Sequence, residues 1–488
     1  MDFMNMMKEI MDGNTFKRTE NGALGYATSG SALLDLNFAV SSLRNRSEEE
    51  IREMFLEAFS EDANLAMKWL FYARDVRGGL GERRLFRAIY SHLPIEIGER
   101  LLELIPEYGR FDDLIYLINF LPYENKVINI LSKQLATDIM DMKKGNSISL
   151  CAKWMPSINT SSKKTCALAK KIAKRMGLSH KGYRIMLSRL RKYLKVVETT
   201  ISANKWDEVD YAAVPSKANL KYKDAFARHD GLRYEAFINT RGSEMKSSAN
   251  YPYEVYLAAS RNYDKATQQL WDNLPNYPTN NTLVVADGSG SMTWESLAGT
   301  RATALDIANS LAIYFAERAE GPYRNKYITF SSRPQFVNLG DKTNLLEKIR
   351  IARQHSEYSN TNIEKVFNLV LDTAIENNLT QDQLPKNILI LSDMEFDNAR
   401  TDYGDFTPLF ETIKKKFAAA GYKLPRLVFW NICGCTQAIP LQKNDNGVIL
   451  MSGFTPNQVK MLMSDELDPY KLLVEVLKSK RYEKIELF

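Results

Sequence analysis

Residues 282–291 read TLVVADGSGS, and residues 387–395 read NILILSDME. Each is a short apolar run that ends abruptly in small polar and acidic residues. Runs of this length suit strands buried on both faces. Lys326-YITFSS, Arg426-LVFWNI and Gly447-VILM read the same way. Between them, residues 296–319, 361–377 and 408–420 carry helical periodicity, and a closing helix is expected over 469–480. Strand–helix alternation predicts a mostly parallel sheet with helices on both faces, the doubly wound, Rossmann-like α/β class. Ligands of such sheets bind outside the C-terminal ends of the strands. The residues just after each strand are therefore the ones that matter.

Those residues are rich in oxygen. The first run feeds into Asp287-Gly288-Ser289-Gly290-Ser291, and the second ends Ser392-Asp393-Met394-Glu395. A polar loop, His355-SEYSNT, precedes the helix that begins near Thr361. Three sequence-distant loops should meet at one sheet edge, bringing Asp287, Ser289, Ser291, Thr361 and Asp393 together. All five offer oxygen, which suits a hard divalent cation: Mg²⁺ first, Ca²⁺ or Mn²⁺ as alternatives. Two carboxylates cannot saturate an octahedral ion. Such a site keeps waters, or one position for an acidic group from a protein partner.

Working outward, residues 273–281 (NLPNYPTNN) have the texture of a linker. Before it the chain reads as helix after helix. Ser47-EEEIREMFLEAFS, Asn64-LAMKWLFYARDV, Gly81-ERRLFRAIYSHL, Ile97-GERLLELI and Asp112-DLIYLINFL all space apolar residues by three and four. Short helices punctuated by Gly, Pro or Asn suit a HEAT-like helical-repeat domain. The expected division is an all-α domain over 1–275 and an α/β domain over 279–488. A chain of 488 residues exceeds what one hydrophobic core usually supports, which agrees with two domains.

Charge separates the halves. Residues 279–488 carry a net −1 and residues 1–278 a net +7. Within the basic half, Met142–Val197 holds 15 Lys or Arg and no Asp or Glu. At 100° per residue, Lys163, Lys164, Lys170, Lys171, Lys174 and Arg175 share one arc of a helix, with Leu168, Ile172 and Met176 opposite. A second helix, from about His180, sets Arg184, Arg189, Arg191, Lys192 and Lys195 against Tyr183, Met186, Leu187, Leu190, Tyr193 and Leu194. One-signed faces backed by apolar stripes suit a polyanion, and a phosphate backbone above all. An anionic membrane fits less well, because the stripes are needed for a core.

Other classes are disfavoured. No apolar run approaches the roughly 18–20 residues of a membrane span, and the acidic, interrupted start is not a signal peptide. Cys151, Cys166, Cys433 and Cys435 form neither a disulfide framework nor a zinc site, so reduced thiols in a cytoplasmic protein are expected. The four histidines are His92, His180, His229 and His355, and only His355 shares a domain with the serines. A serine nucleophile therefore has no evident base. The Gly-Ser-Gly-Ser segment lacks the lysine and spacing of a phosphate loop. Asp393, Glu395 and Asp397 offer carboxylates for the two-metal chemistry of a nuclease, but no convincing two-metal cluster is readable from the sequence. A non-enzymatic protein is expected.

The order DxSxS, then Thr-Asn-Ile, then an apolar strand ending Ser-Asp resembles the metal-ion-dependent adhesion site (MIDAS) of von Willebrand factor A domains. The resemblance implies Ser289, Ser291 and Thr361 as direct ligands, with Asp287 and Asp393 acting directly or through water. Where that family often has Gly-Gly before the threonine, this chain has Ser359-Asn360. The front half has phrases of its own: Phe71-YARDVRGGLGERRLFR, Ile105-PEYGRFDDL, Ala152-KWMPSINTSSKK and Ala213-VPSKANLKYKDAFARHDGLRY. With the A-type domain behind them, they resemble the Ro (TROVE-module) RNA-binding proteins, in a branch of that architecture that shares the KW-P-NTSS phrase. That resemblance implies helical repeats closing into a ring, single-stranded RNA ends in its hole and small structured non-coding RNA on its outer face, in a ribonucleoprotein particle. Arg74, Arg77 and Arg110 become pore-side candidates. Lys153, Lys163, Lys164, Lys170, Lys171, Lys174, Arg175, Lys181, Arg184, Arg189, Arg191, Lys192 and Lys195 become the broad RNA surface. Both arginine phrases also read as ion pairs bridging adjacent helices.

Overall fold

The structure, a computed structural model, describes residues 16–277, 279, 281–293, 296–330, 332–341, 344–358, 360–397, 409–434, 439–440, 447–463, 466 and 468–487. Cys435, half of the Cys-Gly-Cys pair, lies outside them. The chain packs as two compact units. One gathers Met1–Trp69 with Ser247–Lys484, the other Leu70–Lys246 with Ile485–Phe488.

The first unit begins with a small antiparallel hairpin, β1 (Phe16–Arg18) and β2 (Leu24–Tyr26). Its main sheet has six strands: β3 (Thr282–Asp287), β4 (Lys326–Phe330), β5 (Gln335–Asn338), β6 (Asn387–Ser392), β7 (Arg426–Asn431) and β8 (Val448–Ser452). They lie in the order β5-β4-β3-β6-β7-β8, all parallel to their neighbours except the edge strand β5. Every residue of β6, β7 and β8 is buried, which requires cover on both faces. The chain leaves β3 for β4 and returns to β6 on β3's other side, so the strand order reverses at the β3–β6 pair. Open α/β sheets place their ligand crevice at that point.

The long runs became strands within a residue or two of expectation. The short edge strand β5 was not anticipated, because four residues with Phe336 exposed carry little pattern. The helix expected from Ser296 begins at Ala304 instead, where Thr303 and Asp306 make a reciprocal capping box.

The expected division at 275–279 is not how the chain packs. The helix Ala32–Phe38 packs on β8. Asn431 donates to the Phe38 carbonyl at 3.0 Å, and the Ser41 amide donates to Ser452 Oγ at 2.9 Å. The helix Pro252–Arg261 packs on Ala304–Arg318, and Trp271 donates to Glu317 at 2.7 Å. Flanking helices from the front half thus complete the cover of the sheet.

The second unit is helical throughout Leu70–Lys246. Helices pack on near neighbours in sequence: Arg83–Tyr90 on Phe111–Leu117, Ile95–Leu101 on Leu121–Lys144, Lys163–Arg175 on His180–Tyr193, and Ser216–His229 on Gly231–Arg241. That is the habit of helical-repeat domains. Among the described residues no helix is long and apolar enough to cross a membrane.

Candidate metal centre and basic helical face

The β3–β6 register places Ala286 beside Leu391, so Asp287 and Ser392 end adjacent strands. Asp287 is buried; Oδ1 accepts from the Ser289 amide at 2.9 Å and Oδ2 from Ser392 Oγ at 2.5 Å. The Ser289 and Ser291 hydroxyls are 3.1 Å apart. Asp393, also buried, accepts the Glu395 amide at 3.1 Å and a hydrogen bond from the Ser291 side chain. The third loop is clasped to the first, since the Tyr358 amide donates to the Gly288 carbonyl at 2.9 Å. The Asp397 amide donates to the Thr361 carbonyl at 2.9 Å, tying that loop to the second. Backbone bonds therefore knit the three loops that carry the five expected residues.

Burial raises both carboxyls. Asp287 is pushed up to about 6, against the hydrogen bonds from Ser289 and Ser392 that favour its charge. Asp393 is held well above the carboxylate range by burial and then by the nearby charge of Asp287. Two buried carboxyls that repel one another among hydroxyl oxygens form a donor set that fits a hard divalent cation. Among the described residues, no three His, Cys, Asp or Glu side chains gather into a metal cluster. The hydroxyls of Ser289, Ser291 and Thr361 would have to complete any coordination.

The sequence reading missed Asn21 and Ser392. Asn21 Nδ2 donates to Thr361 Oγ1 at 3.1 Å from the turn of the β1–β2 hairpin. Its signal was present as Asn21-Gly22 between short strands. His355, the one histidine weighed as a base, has Nδ1 2.8 Å from the Ile351 carbonyl.

In the helical unit, Ser162 and Ser179 cap two helices through bonds to Thr165 and Gly182. Ala169, Ile172 and Ala173 are buried on the first, Tyr183, Leu187 and Leu190 on the second. Lys163, Lys164, Lys170, Lys171, Lys174, Arg175, Lys181, Arg184, Arg189, Lys192 and Lys195 are exposed. Of the expected apolar stripes, Ile172, Tyr183, Leu187 and Leu190 are buried, Leu168, Met176, Met186 and Leu194 are half-buried, and Tyr193 is exposed.

Several expected members of the basic face have structural work instead. Arg191 is half-buried and donates to the carbonyls of Ala152 and Met155 at 2.8 and 2.6 Å and to Ser157 Oγ at 2.8 Å. It pins the Ala152–Ser157 segment, and burial lowers its pKa. Lys171 and Arg175 both reach Glu124, at 2.8 and 3.0 Å. Half-buried Lys153 stands 3.9 Å from Glu198.

The arginines expected at a pore depart further from expectation. Arg74 is 2% exposed and pairs with Asp113 at 2.7 Å; Arg87 grips the other oxygen of Asp113 at 2.8 Å and Asp112 at 3.1 Å. Arg74 and Arg87 of the Phe71–Arg87 phrase and Asp112 and Asp113 of the Ile105–Leu114 phrase thus form one ionic lattice centred on buried Asp113. A Cβ on Gly109 would lie 2.7 Å from Asp113 Oδ2, so the glycine admits the lattice. Arg110 is half-buried against the Trp154 ring, 5.0 Å from its centroid. Only Arg77 is exposed, and it donates to the Glu107 carbonyl at 3.1 Å.

Two protein-family profiles match the chain. One, described as "Domain of unknown function (DUF2828)", matches residues 19–94 and 123–269. The other, described as "Domain of unknown function (DUF7788)", matches residues 281–484. A curated relative, "Uncharacterized protein L728" of Acanthamoeba polyphaga mimivirus, is 31% identical over 94% of this chain and 86% of its own length. This chain belongs to the L728 family. Family membership covers both the helical half and the sheet. Among solved structures, that of the Deinococcus radiodurans RO (RSR) protein aligns with 92% of the chain and 99% of its own, at 13% identity and a TM-score of 0.49.

Proposed function

We propose that this protein is a non-enzymatic RNA-binding scaffold of the Ro type. It holds single-stranded or small structured non-coding RNA on the basic helical face, and its sheet unit is a von Willebrand A-type domain with a MIDAS-like divalent cation site. One observation carries the RNA reading. The helices Lys163–Arg175 and His180–Tyr193 contain no acid, bury Ala169, Ile172, Ala173, Tyr183, Leu187 and Leu190, and turn all their lysines and arginines but Arg191 to solvent. Cations spread over two neighbouring helices can neutralise successive phosphates of one strand and release its counterions. Contacts to phosphate position a ligand without reading its bases, so sequence preference is weak.

In the A-type domain, Asp287, Ser289, Ser291, Thr361 and Asp393 would hold Mg²⁺, which supplies the positive charge that two repelling carboxyls lack. Asp287 accepts from Ser289 and Ser392 and so keeps the DxSxS loop against β6. The test is filter binding of labelled single-stranded RNA to wild type and to the quadruple variant Lys163→Glu, Lys164→Glu, Lys170→Glu, Lys174→Glu. Loss of affinity for all sequences alike is expected. Unchanged affinity in the folded variant would remove RNA from this face.

A further inference from the structure

The β1–β2 hairpin lies far from the cation site in sequence, yet its turn is bonded to it. The turn closes through Gly22 N–H to the Thr19 carbonyl at 3.0 Å, with Gly22 at φ +91°, a conformation that favours glycine. Thr19 Oγ1 donates to the Phe396 carbonyl at 2.6 Å, and the Glu20 amide donates to the Glu395 carboxylate at 2.8 Å. Asn21 Nδ2 donates to the Glu395 carbonyl at 2.6 Å and to Thr361 Oγ1 at 3.1 Å. Beyond the turn, Tyr26 and Ile439 exchange two backbone bonds, at 2.7 and 2.9 Å. Thr361 and Glu395 are each 1% exposed beneath these contacts.

A threonine hydroxyl has one proton and two lone pairs. The Asn21 amide takes one lone pair and leaves the other for a cation. The same amide spans the loop of Thr361 and the loop of Asp393 and Glu395. It thereby fixes the spacing of two loops that a cation site must hold together. The hairpin turn also lies over Thr361, which Asn21 bonds directly.

Resting on the cation-site reading above, we propose that the hairpin turn Thr19–Ala23 is part of the metal centre. Asn21 is its positioning residue, and cation binding and hairpin docking stabilise each other. The centre fastens the chain's own N-terminal hairpin instead of capturing a carboxylate from another protein. Linkage requires the effect to run both ways: Mg²⁺ tightens the hairpin, and loosening the hairpin weakens Mg²⁺.

The experiment uses the full chain with MgCl₂ as the probe. Amide hydrogen exchange is followed over residues 16–26 with and without Mg²⁺, and affinity is measured by calorimetry. In wild type, Mg²⁺ should slow exchange at Gly22, Ala23 and Tyr26. Asn21→Ala should weaken Mg²⁺ roughly fivefold, about the worth of one hydrogen bond, and abolish the slowing. Asn21→Ser, which keeps a donor, should recover part of both. Mg²⁺ binding without any change in wild-type exchange would overturn the coupling, whatever the variants do. Equal affinity in wild type and Asn21→Ala would overturn the role of Asn21. An absence of calorimetric Mg²⁺ binding to wild type would instead overturn the metal-site reading, and this proposal with it.

Discussion

Glu124 receives Lys171 at 2.8 Å and Arg175 at 3.0 Å, and its side chain is only 5% exposed while theirs are 42% and 53% exposed. The Lys171 hydrogen bond is the main reason its carboxyl lies below the usual range. Two cations on the basic face are thus tethered to an acid of the helix Leu121–Lys144. They differ from Lys170 and Lys174, which ride the same helix beside them.

Lys171→Glu with Arg175→Glu should therefore damage the fold, because three acids would then crowd a buried position. A drop in melting temperature of roughly 3–6 °C is expected, the range in which single packing or charge defects register in a domain of this size. Lys170→Glu with Lys174→Glu should leave it within about 2 °C of wild type, as exposed changes usually do. Equal melting temperatures for the two variants would show that Glu124 does not depend on its partners.

RNA affinity should fall steeply with salt. If roughly five to eight phosphates are neutralised, the log–log slope for single-stranded RNA is about −3.5 to −5.6, at about −0.7 per contact. The Lys163/Lys164/Lys170/Lys174 reversal should flatten it, and Asp287→Ala should leave it in place. Titrations at several salt concentrations measure all three. A salt-independent affinity would mean that phosphates are not the ligand.

Arg74→Ala should destabilise the protein by about 3–5 kcal/mol, the usual cost of removing one partner of a buried ion pair. Arg74→Lys should recover little, because one ammonium cannot reproduce the two contacts that Arg74 Nε and Nη2 make with Asp113 Oδ2. Urea denaturation gives the figure. A loss of RNA affinity with unchanged stability would restore Arg74 to the RNA surface.

Mg²⁺ should stabilise the protein most above pH 6. In the metal-free fold, burial raises Asp287 from 3.8 to about 6. A carboxyl raised by folding binds protons in the folded state, so the Asp287 share of metal-free stability falls as pH rises from 3.8 through about 6 and then levels. A cation must displace those protons. Its stabilisation is therefore smallest at acidic pH and grows as pH rises through about 6, where Asp287 gives up its proton, and the raised Asp393 carries the rise further. Melting curves with and without MgCl₂ across that range are the check, with Asp287→Ala expected to show no Mg²⁺ increment at any pH.

Much of the fold was legible because the signals are local. The apolar runs at Thr282, Lys326, Asn387, Arg426 and Val448 identify themselves as strands, and the acids and serines that end two of them mark the sheet edge. The charge stripes at 163–175 and 180–193 follow from a 3.6-residue period alone. Short elements were not legible: β1, β2 and β5 have three or four residues each, too few for a pattern.

The chain's own residues determined a helical half, a doubly wound sheet, an acid-free basic face and three oxygen-bearing loops. Periodicity and strand length act between residues a few positions apart, and sequence displays that range directly. Only the tertiary structure decided which cations are tethered, since Arg175 meets Glu124 across 51 positions and Arg74 meets Asp113 across 39. It alone placed Asn21 on Thr361 across 340 positions, and residues 16–69 with the sheet. Those pairings depend on burial and desolvation at particular points in space. An arginine in a basic stripe and an arginine locked on a buried carboxylate look alike until their surroundings are known.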